Sequence, residues 1–533
     1  MDAVRAIPEA GAPGAAAGAA AAAGAAAAPG GIPSGIEARL PGLNASLPAK
    51  DGIWQIVSGT RFKFFVFSAF YDRREARTVR IIAATKTRGP DRVWCRLWYN
   101  GSASGPGPAH ANASTASSAA KPYSVTVAAK VKVIRENWNL KYSAAFVLCA
   151  LGKKLAAPSA VSVVSWLRLP PANLLVVRNT DADLAARNLT AGPLGGDPPP
   201  QPAPNPKASA ANAAPPVSSV AHVPDTIAVC VKPLHFNYNQ ALHMLEFLEL
   251  NTILGVQHFT LYNHTLGAQV SCVLRDYMAR GVVTLLPWQL NMLSQKEIRT
   301  EGLFAALNDC LYRSMYQYAY TALIDLDEYI IPRNHDTLPE LVKWMGTRMN
   351  TRGTGSYSFQ NAFFYLQWED DAGLGEADRL ESGLVTLRKT RRRLKLHPHK
   401  QRSKYLCRPE FIVEAGNHFV WEFVPGHGTL NVPPDAAILH HYRVCEFGGD
   451  DCIKTASVVD KTAYRYRERL AQRVRRRYRE LQLRCELPPL VDDPLTPPPT
   501  HAAPARSPAP ANDSRDEDHA AANHKLKPAA ELS

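Results

Sequence analysis

Between residues 51 and 179, apolar residues come in short runs separated by turn-forming residues: 61–69, 78–85, 92–99, 123–134, 140–151, 159–166 and 174–178. Each run is rich in Val, Ile, Phe and Tyr and bounded by Gly, Pro, Asn or Asp, the pattern of β-strands. It predicts an all-β, sandwich-like unit. From residue 225 the rhythm changes. Residues 227–231 form a compact apolar strand. In 240–253, Leu242, Leu245, Leu248 and Leu250 with Met244 and Phe247 fit a buried helix. Strand 257–262, helix 270–280, strand 282–286, helix 303–318 and strand 320–324 follow. Such alternation requires right-handed crossovers and a largely parallel sheet covered on both faces, a doubly wound α/β architecture. Ligands of such sheets bind beyond the carboxyl ends of the strands, so chemistry is expected just after residue 324.

The chain's 533 residues exceed one ordinary domain, and its 46% hydrophobic content excludes wholesale disorder. Its 42 prolines and 33 glycines crowd into 10–35, 194–224 and 487–510, which read as tail, linker and tail. The expected organisation is a low-complexity stretch 1–50, a β-rich unit 51–190, a linker 191–224, an α/β unit 225–486 and a tail 487–533. No window approaches eighteen strongly apolar residues, and the Ala/Gly run 15–28 carries too little transfer energy to insert in a membrane. The formal net charge of +14 raises nucleic acid or an anionic membrane as a partner. Its distribution weakens that reading. Residues 388–404 hold nine Lys/Arg and no Asp/Glu, and 461–484 hold ten against two, which leaves the remainder slightly acidic. In 461–484, Ala463, Tyr466, Leu470, Val474, Tyr478 and Leu481 recur at helical spacing. This predicts an amphipathic helix with a cationic outer face, either the closing helix of the domain or a docking site for anions.

Nine cysteines show no zinc spacing, and six Asn-x-Ser/Thr sequons stand at Asn44, Asn100, Asn112, Asn188, Asn263 and Asn512, against roughly two or three expected by chance. Both features suit a secretory lumen, where an even subset of the cysteines would pair and one would be left over. The expected final strand ends in Asp325-Leu326-Asp327-Glu328-Tyr329. Two carboxylates two residues apart at a strand end point the same way and suit a hard divalent cation that also grips a diphosphate. The spacing alone is weak: Asp181/Asp183, expected in a loop, and Asp516/Asp518, in the tail, share it.

The residues 324–330, Ile-Asp-Leu-Asp-Glu-Tyr-Ile, preceded by Leu307-Asn308-Asp309-Cys310-Leu311-Tyr312-Arg313, resemble the signature of glycosyltransferase family 92. Cys230 to Leu234, Arg402-Ser403-Lys404 with Arg408-Pro409-Glu410, Gly416-Asn417-His418 and His440-His441-Tyr442-Arg443 follow in the family's order, and residues 67–74 resemble the accessory β-domain of its members. The resemblance implies a GT-A fold, inversion at the anomeric carbon, a manganese cofactor and a Golgi, membrane-associated setting. It further implies transfer of galactose from UDP-galactose in β-1,4 linkage to galactose or fucose of an N-glycan. By it, Asp327 binds the metal, Asp325 assists through the metal or the ribose, and His441, with His440 second, supplies a further ligand.

Lys232 follows a strand beside the nucleotide cleft, where it meets uridine or phosphate or lies on the surface. Lys404 and Arg408 are expected to hold the diphosphate. The run 388–393 reads mainly as a solvated face. Inversion requires a general base, and Glu369, Asp370 and Asp371 after the aromatic segment 362–368 are the expected cluster, with a charged loop as the bland alternative. Trp368 is either a sugar platform or core. The rival functions are an inactive, lectin-like binder on the same scaffold and a basic nucleic-acid binder, the latter resting on localised charge alone.

Overall fold

The computed structural model describes residues 31–43, 46–101, 120–153, 155–190, 226–373, 379–445 and 451–490. The linker, residues 1–30, the sequons at Asn44, Asn112 and Asn512, and Asp516/Asp518 lie outside them. Helix α1 (Ser34–Glu37) precedes β1 (Gln55–Ile56), β2 (Phe65–Asp72), β3 (Thr78–Lys86), β4 (Trp94–Gly101), β5 (Ala120–Val133), β6 (Tyr142–Ala150), β7 (Ala160–Val164) and β8 (Leu175–Arg178). These strands form one ladder, β1-β2-β3-β6-β5-β4-β7-β8, and β8 also pairs with β2, so the sheet closes on itself. The long β5 makes the closure: its residues 123–128 pair with β4 and 129–133 with β6. Sandwich and barrel share the same in–out alternation, so hydropathy alone does not separate them. Every second side chain points inward, as with Val79, Ile81 and Ala83 or Ala145, Val147 and Cys149.

Part of the stretch expected as an N-terminal tail is packed. Glu37 accepts from the Thr126 amide (2.9 Å) and the Ser124 hydroxyl (2.6 Å), and Arg96 donates to the Pro41 carbonyl (2.9 Å). Asp181 and Asp183, expected in a loop, open helix α2 (Asp181–Thr190), where carboxylates favour the first turn.

In the second half, helices α3 (Ala241–Ile253), α4 (Ala268–Ala279) and α5 (Leu303–Ser314) connect β9 (Ile227–Cys230), β10 (Val256–Asn263), β11 (Val283–Pro287) and β12 (Tyr320–Leu323). The bounds agree with the periodicity to within a residue or two, except that α5 stops at Ser314, ahead of Tyr316 in left-handed conformation (φ 65°). Beyond β13 (Glu328–Pro332) and α6 (Leu338–Arg348) lie β14 (Thr354–Phe359), β15 (Asn361–Tyr365), α7 (Arg379–Gly383), α8 (Val385–Arg388), β16 (Arg391–Arg393) and β17 (Lys404–Cys407). The hairpin β18 (Ile412–Ala415) and β19 (Val420–Phe423), then β20 (Gly428–Asn431), β21 (Ala437–Arg443), β22 (Ser457–Val459) and α9 (Arg467–Gln482) complete the order.

The main sheet runs β11-β10-β9-β12-β17-β14-β20, parallel throughout except for β17, which is antiparallel to both neighbours. All four residues of β9 are buried, as a strand covered on both faces requires. A small sheet, β13-β21-β15, leans on it. Four disulfides, Cys95–Cys149, Cys230–Cys310, Cys272–Cys485 and Cys445–Cys452, leave Cys407 buried and free, the even-subset pattern expected from the count. Helix α9 buries Leu470, Val474, Tyr478 and Leu481. Part of its charge is used internally: Arg467 pairs with Glu381 (2.6 Å) and Arg473 with Glu249 (2.6 Å). Leu487, expected in the tail, is buried behind it.

Candidate active site

Three strand ends build the site. Cys230 at the end of β9 sits opposite Leu323 at the end of β12, and Tyr405 of β17 sits opposite Leu323 on the other side. Lys232, Asp325 and Lys404, each just beyond or at these positions, therefore converge at the carboxyl edge of the parallel strands. Asp325 Oδ2 lies 3.1 Å from Lys232 Nζ and 3.3 Å from Lys404 Nζ. Lys404 also donates to Asn417 Oδ1 (2.8 Å), in the turn between β18 and β19, and lies 3.5 Å from Glu328 Oε2. Glu328 in turn accepts from the Asp325 amide (2.9 Å), which folds the acidic turn back on itself.

The small sheet supplies the histidine. Glu328 pairs with His441 and Tyr329 with His440 across β13 and β21, and strand alternation sends the two imidazoles to opposite faces. His441 Nε2 is 3.2 Å from Asp327 Oδ2, and its Nδ1 is 3.2 Å from Glu328 Oε1 and 3.0 Å from Asn361 Nδ2. His440 turns into the core, stacked on Phe364 and bonded to the Tyr442 hydroxyl (3.2 Å); burial drives its pKa down to about 3. Of the two histidines, His441 faces the acidic turn and His440 the core.

Burial raises Asp325, but the ammonium groups of Lys232 and Lys404 outweigh it and hold the carboxyl well below its usual range. Asp327 is likewise raised by burial and brought down overall by His441. Glu328 goes the other way, because burial prevails over Lys404 and pushes it up. Burial lowers His441, yet Asp327 and Glu328 together raise it. Lys232 is raised first by Asp325, and Lys404 is raised against its burial by Asp325 and Glu328.

Other expected residues lie elsewhere. Because β17 runs antiparallel to β12, with Cys407 opposite Thr321, Arg408 emerges at the far end of the sheet from Lys404. There it meets Glu410 (3.4 Å) and covers the Phe411 ring. Asp370 pairs with Lys389 (2.5 Å), and Asp371 with Lys461 (2.9 Å) and the Thr390 hydroxyl (2.7 Å). Glu369 is exposed. None of these contacts reaches the acidic turn. Trp368, half-buried, donates to the Ile453 carbonyl (2.8 Å) and packs on Tyr365. Arg391, Arg392 and Arg393 form β16 against β22, with Arg392 on Asp460 (2.8 Å). Glu328, Asn361 and Asn417 join the site without having been assigned to it; Glu328 and Asn417 stand in the family motifs, and Asn361 in none of them.

The donor set suits a divalent cation. Asp327 keeps a side chain 37% exposed, its carboxylate faces an imidazole nitrogen, and that imidazole is oriented from behind by a carboxylate, as metal-binding histidines commonly are. Asn361 Oδ1 is buried without a partner and, with its amide turned over, would accept from Nδ1–H, leaving Nε2 for a metal. Among the described residues no group of three or more His, Cys, Asp or Glu side chains is arranged to hold a metal ion. A hard cation here would complete its shell with water and ligand oxygens.

Residues 225–487 match the profile of Glycosyltransferase family 92. They belong to that family. Two curated relatives from Caenorhabditis elegans are each 29% identical: "Glycosyltransferase family 92 protein F13G3.3" over 155 residues and "Beta-1,4-galactosyltransferase galt-1" over 108. The match covers 27% and 20% of this chain and spans only 30% and 25% of those relatives' length. Among solved structures, glucosyl-3-phosphoglycerate synthase from Mycobacterium tuberculosis with Mn2+, UDP and glucosyl-3-phosphoglycerate is 14% identical at a TM-score of 0.20, covering 52% of this chain and 88% of that one. The Pyrobaculum calidifontis mannosyltransferase PcManGT with GDP-Man and Mn2+ is 12% identical at 0.24, covering 50% and 76%. At these scores the likeness is slight, and the strand order itself defines the fold of the family 92 segment.

Proposed function

We propose that this chain is an inverting glycosyltransferase of GT-A architecture that uses a nucleotide-sugar donor and a divalent cation. One observation carries the reading: at the carboxyl edge of the sheet Asp325 meets Lys232 and Lys404, Asp327 meets His441, and Glu328 joins the two groups, 3.5 Å from Lys404 and 3.2 Å from His441. Asp327 and His441 would hold the cation, Mn2+ by family, with Asp325 beside them. When bound, it supplies positive charge to a departing diphosphate. Lys404 is 2% exposed and acts as a fixed charge behind Asp325, whereas Lys232, 35% exposed, reaches a ligand phosphate. Of the acidic cluster, exposed Glu369 is the member to test as general base, since Asp370 and Asp371 are engaged in ion pairs.

UDP-galactose is the proposed donor and a glycan the acceptor, in β-1,4 linkage, by family. A cleft of about 910 Å³ in the barrel, lined by Trp94, the 69%-exposed Trp166 and Arg92, offers a surface on which acceptor sugars could stack. Four disulfides support an oxidising, secretory compartment such as the Golgi lumen. Among the described residues no helix is long and apolar enough to cross a membrane.

The test is turnover of UDP-galactose with Mn2+ and with the metal chelated, in the parent chain and in Asp327→Ala. Transfer is expected only in the parent with metal. Because Asp327 lies at a strand end rather than in the core, the variant keeps its melting temperature. Equal turnover by Asp327→Ala would refute the assigned centre.

A further inference from the structure

The turn joining β5 to β6 leaves the barrel and enters the second half of the molecule. Ile134 is buried beside Ile412 and Val420, the Arg135 amide donates to Glu414 Oε1 (2.8 Å), and the Arg135 guanidinium donates to the Trp421 carbonyl and to Glu422, each at 2.6 Å. Lys132 adds a further bond to Glu422 (2.5 Å). These contacts already clamp the turn on the hairpin β18–β19. Glu136 does something different. Its Oε2 accepts from the Asn417 amide (3.0 Å) and from Trp421 Nε1 (3.1 Å), and Asn417 is the residue whose Oδ1 receives Lys404 Nζ at 2.8 Å. Lys404 lies 3.3 Å from Asp325.

We infer that Glu136 is a positioning residue: the barrel sets the site's buried lysine through the sequence Glu136, Asn417, Lys404, Asp325. The inference rests on reading the site as a nucleotide-sugar centre. A lysine on a four-carbon stem has no preferred direction of its own, so its ammonium is placed by its acceptors. Of those, Asp325 and Glu328 belong to the acidic turn, and Asn417 is the neutral third. The Asn417 carboxamide can face Lys404 only while its backbone is held, and the local chain is tightly folded: a Cβ on Gly416 would lie 2.6 Å from the Trp421 ring. Glu136 fixes both the amide of Asn417 and the indole that Gly416 packs on. Its own turn is shaped for this reach, with Trp138 and Asn139 in left-handed conformation (φ 56° and 54°) and Asn137 accepting the Asn139 amide at 3.0 Å.

The experiment compares the full chain with Glu136→Ala, Glu136→Gln and Arg135→Ala, reading UDP affinity in the presence of Mn2+ by calorimetry alongside the melting temperature. Glu136→Ala is expected to bind UDP at least tenfold more weakly. Glu136→Gln, which keeps an acceptor oxygen, should stay within threefold. Arg135→Ala, which loosens the same interface without touching Asn417, should melt earlier yet bind UDP normally. Should Glu136→Ala fail to fold, Glu136→Asp, one methylene shorter, replaces it with an expected loss of at least threefold. UDP binding by the alanine variant, or by its aspartate replacement, within twofold of the parent overturns the inference and leaves the nucleotide-sugar reading standing. A loss equal in Arg135→Ala and Glu136→Ala also overturns it, because the effect would then be structural. No UDP binding by the parent chain overturns both.

Discussion

Two lysines share one oxygen of Asp325, and their surroundings make them unequal. Lys404 is 2% exposed and faces Asp325 and Glu328, whereas Lys232 is 35% exposed. Removing the buried ammonium takes one partner from each of two carboxylates, leaving Asp325 to Lys232 and Glu328 to His441, so Lys404→Met should cost about 3 kcal/mol of stability. Lys232→Met should cost about 1 kcal/mol or less, because water replaces its contact. Denaturant titrations of both variants check this, and equal losses would contradict the assigned burial. Both lysines were legible in the sequence, because they sit in family motifs at or beyond strand ends. Arg408 was not: its motif is four residues past Lys404, and only the antiparallel register of β17 shows that those four residues cross the sheet. Glu328 was missed for the opposite reason. Beside two aspartates it reads as one more solvated acid, yet it is 1% exposed and braces both Lys404 and His441. Within the acidic triplet 369–371, Asp370 and Asp371 were overread, since sequence gives acidity but not the lysines that neutralise them.

Single elements were recovered well wherever burial is one- or two-faced and local. The parallel strands are short apolar runs, and α9 shows a clean helical stripe. Closure of the barrel was not legible, because pairing of β8 with β2 joins residues more than a hundred positions apart. Sequence also left open whether the cationic helix docks or binds anions. In the structure it docks, with ion pairs to Glu249, Glu381 and Asp276, partners supplied by α3, α7 and α4. The Cys272–Cys485 bridge then pins the segment after α9 to α4 across 213 residues of chain. For a loop of that length, chain entropy alone assigns the crosslink about 5 kcal/mol. The double variant Cys272→Ala/Cys485→Ala is therefore expected to unfold at clearly lower denaturant, by several kcal/mol. A shift under about 1 kcal/mol, against the usual 2–5 for a native bridge, would show that α9 is held by packing alone.

At the scale of the whole molecule, barrel and α/β half share a core. Phe67, Phe70, Ile82 and Phe146 from the outer face of the barrel pack with Leu307, Leu311 and Tyr312 of α5. Around this contact lies a charged rim. Asp51 bridges Arg313 (2.7 Å) of α5 and Arg178 (2.6 Å) of β8, and Arg74 donates to the carbonyls of Glu410 (3.1 Å) and Ile412 (2.6 Å). Burial raises Asp51, but the two guanidinium groups prevail and bring it to about 2. A carboxyl held below its unfolded pKa of about 4 adds stability above that value and loses it as pH falls toward 2. Asp51→Asn should therefore cost about 2–3 kcal/mol at pH 7, and the gap to the parent should close between about pH 4 and pH 2. A gap that persists at pH 2 would mean the side chain acts through shape rather than charge. The shared core carries a further consequence for where the molecule can be cut. The proline-rich stretch 191–224 marks a boundary in the sequence, yet α5 is buried along its whole length, partly beneath barrel residues. A fragment of residues 226–490 would expose the aromatic-facing side of α5 and leave Arg313 without Asp51. It is expected to aggregate or to bind a hydrophobic dye, and to recover on mixing with the barrel fragment 31–190. A soluble fragment that melts like the intact chain would show that the two halves are independent bodies in spite of their common core.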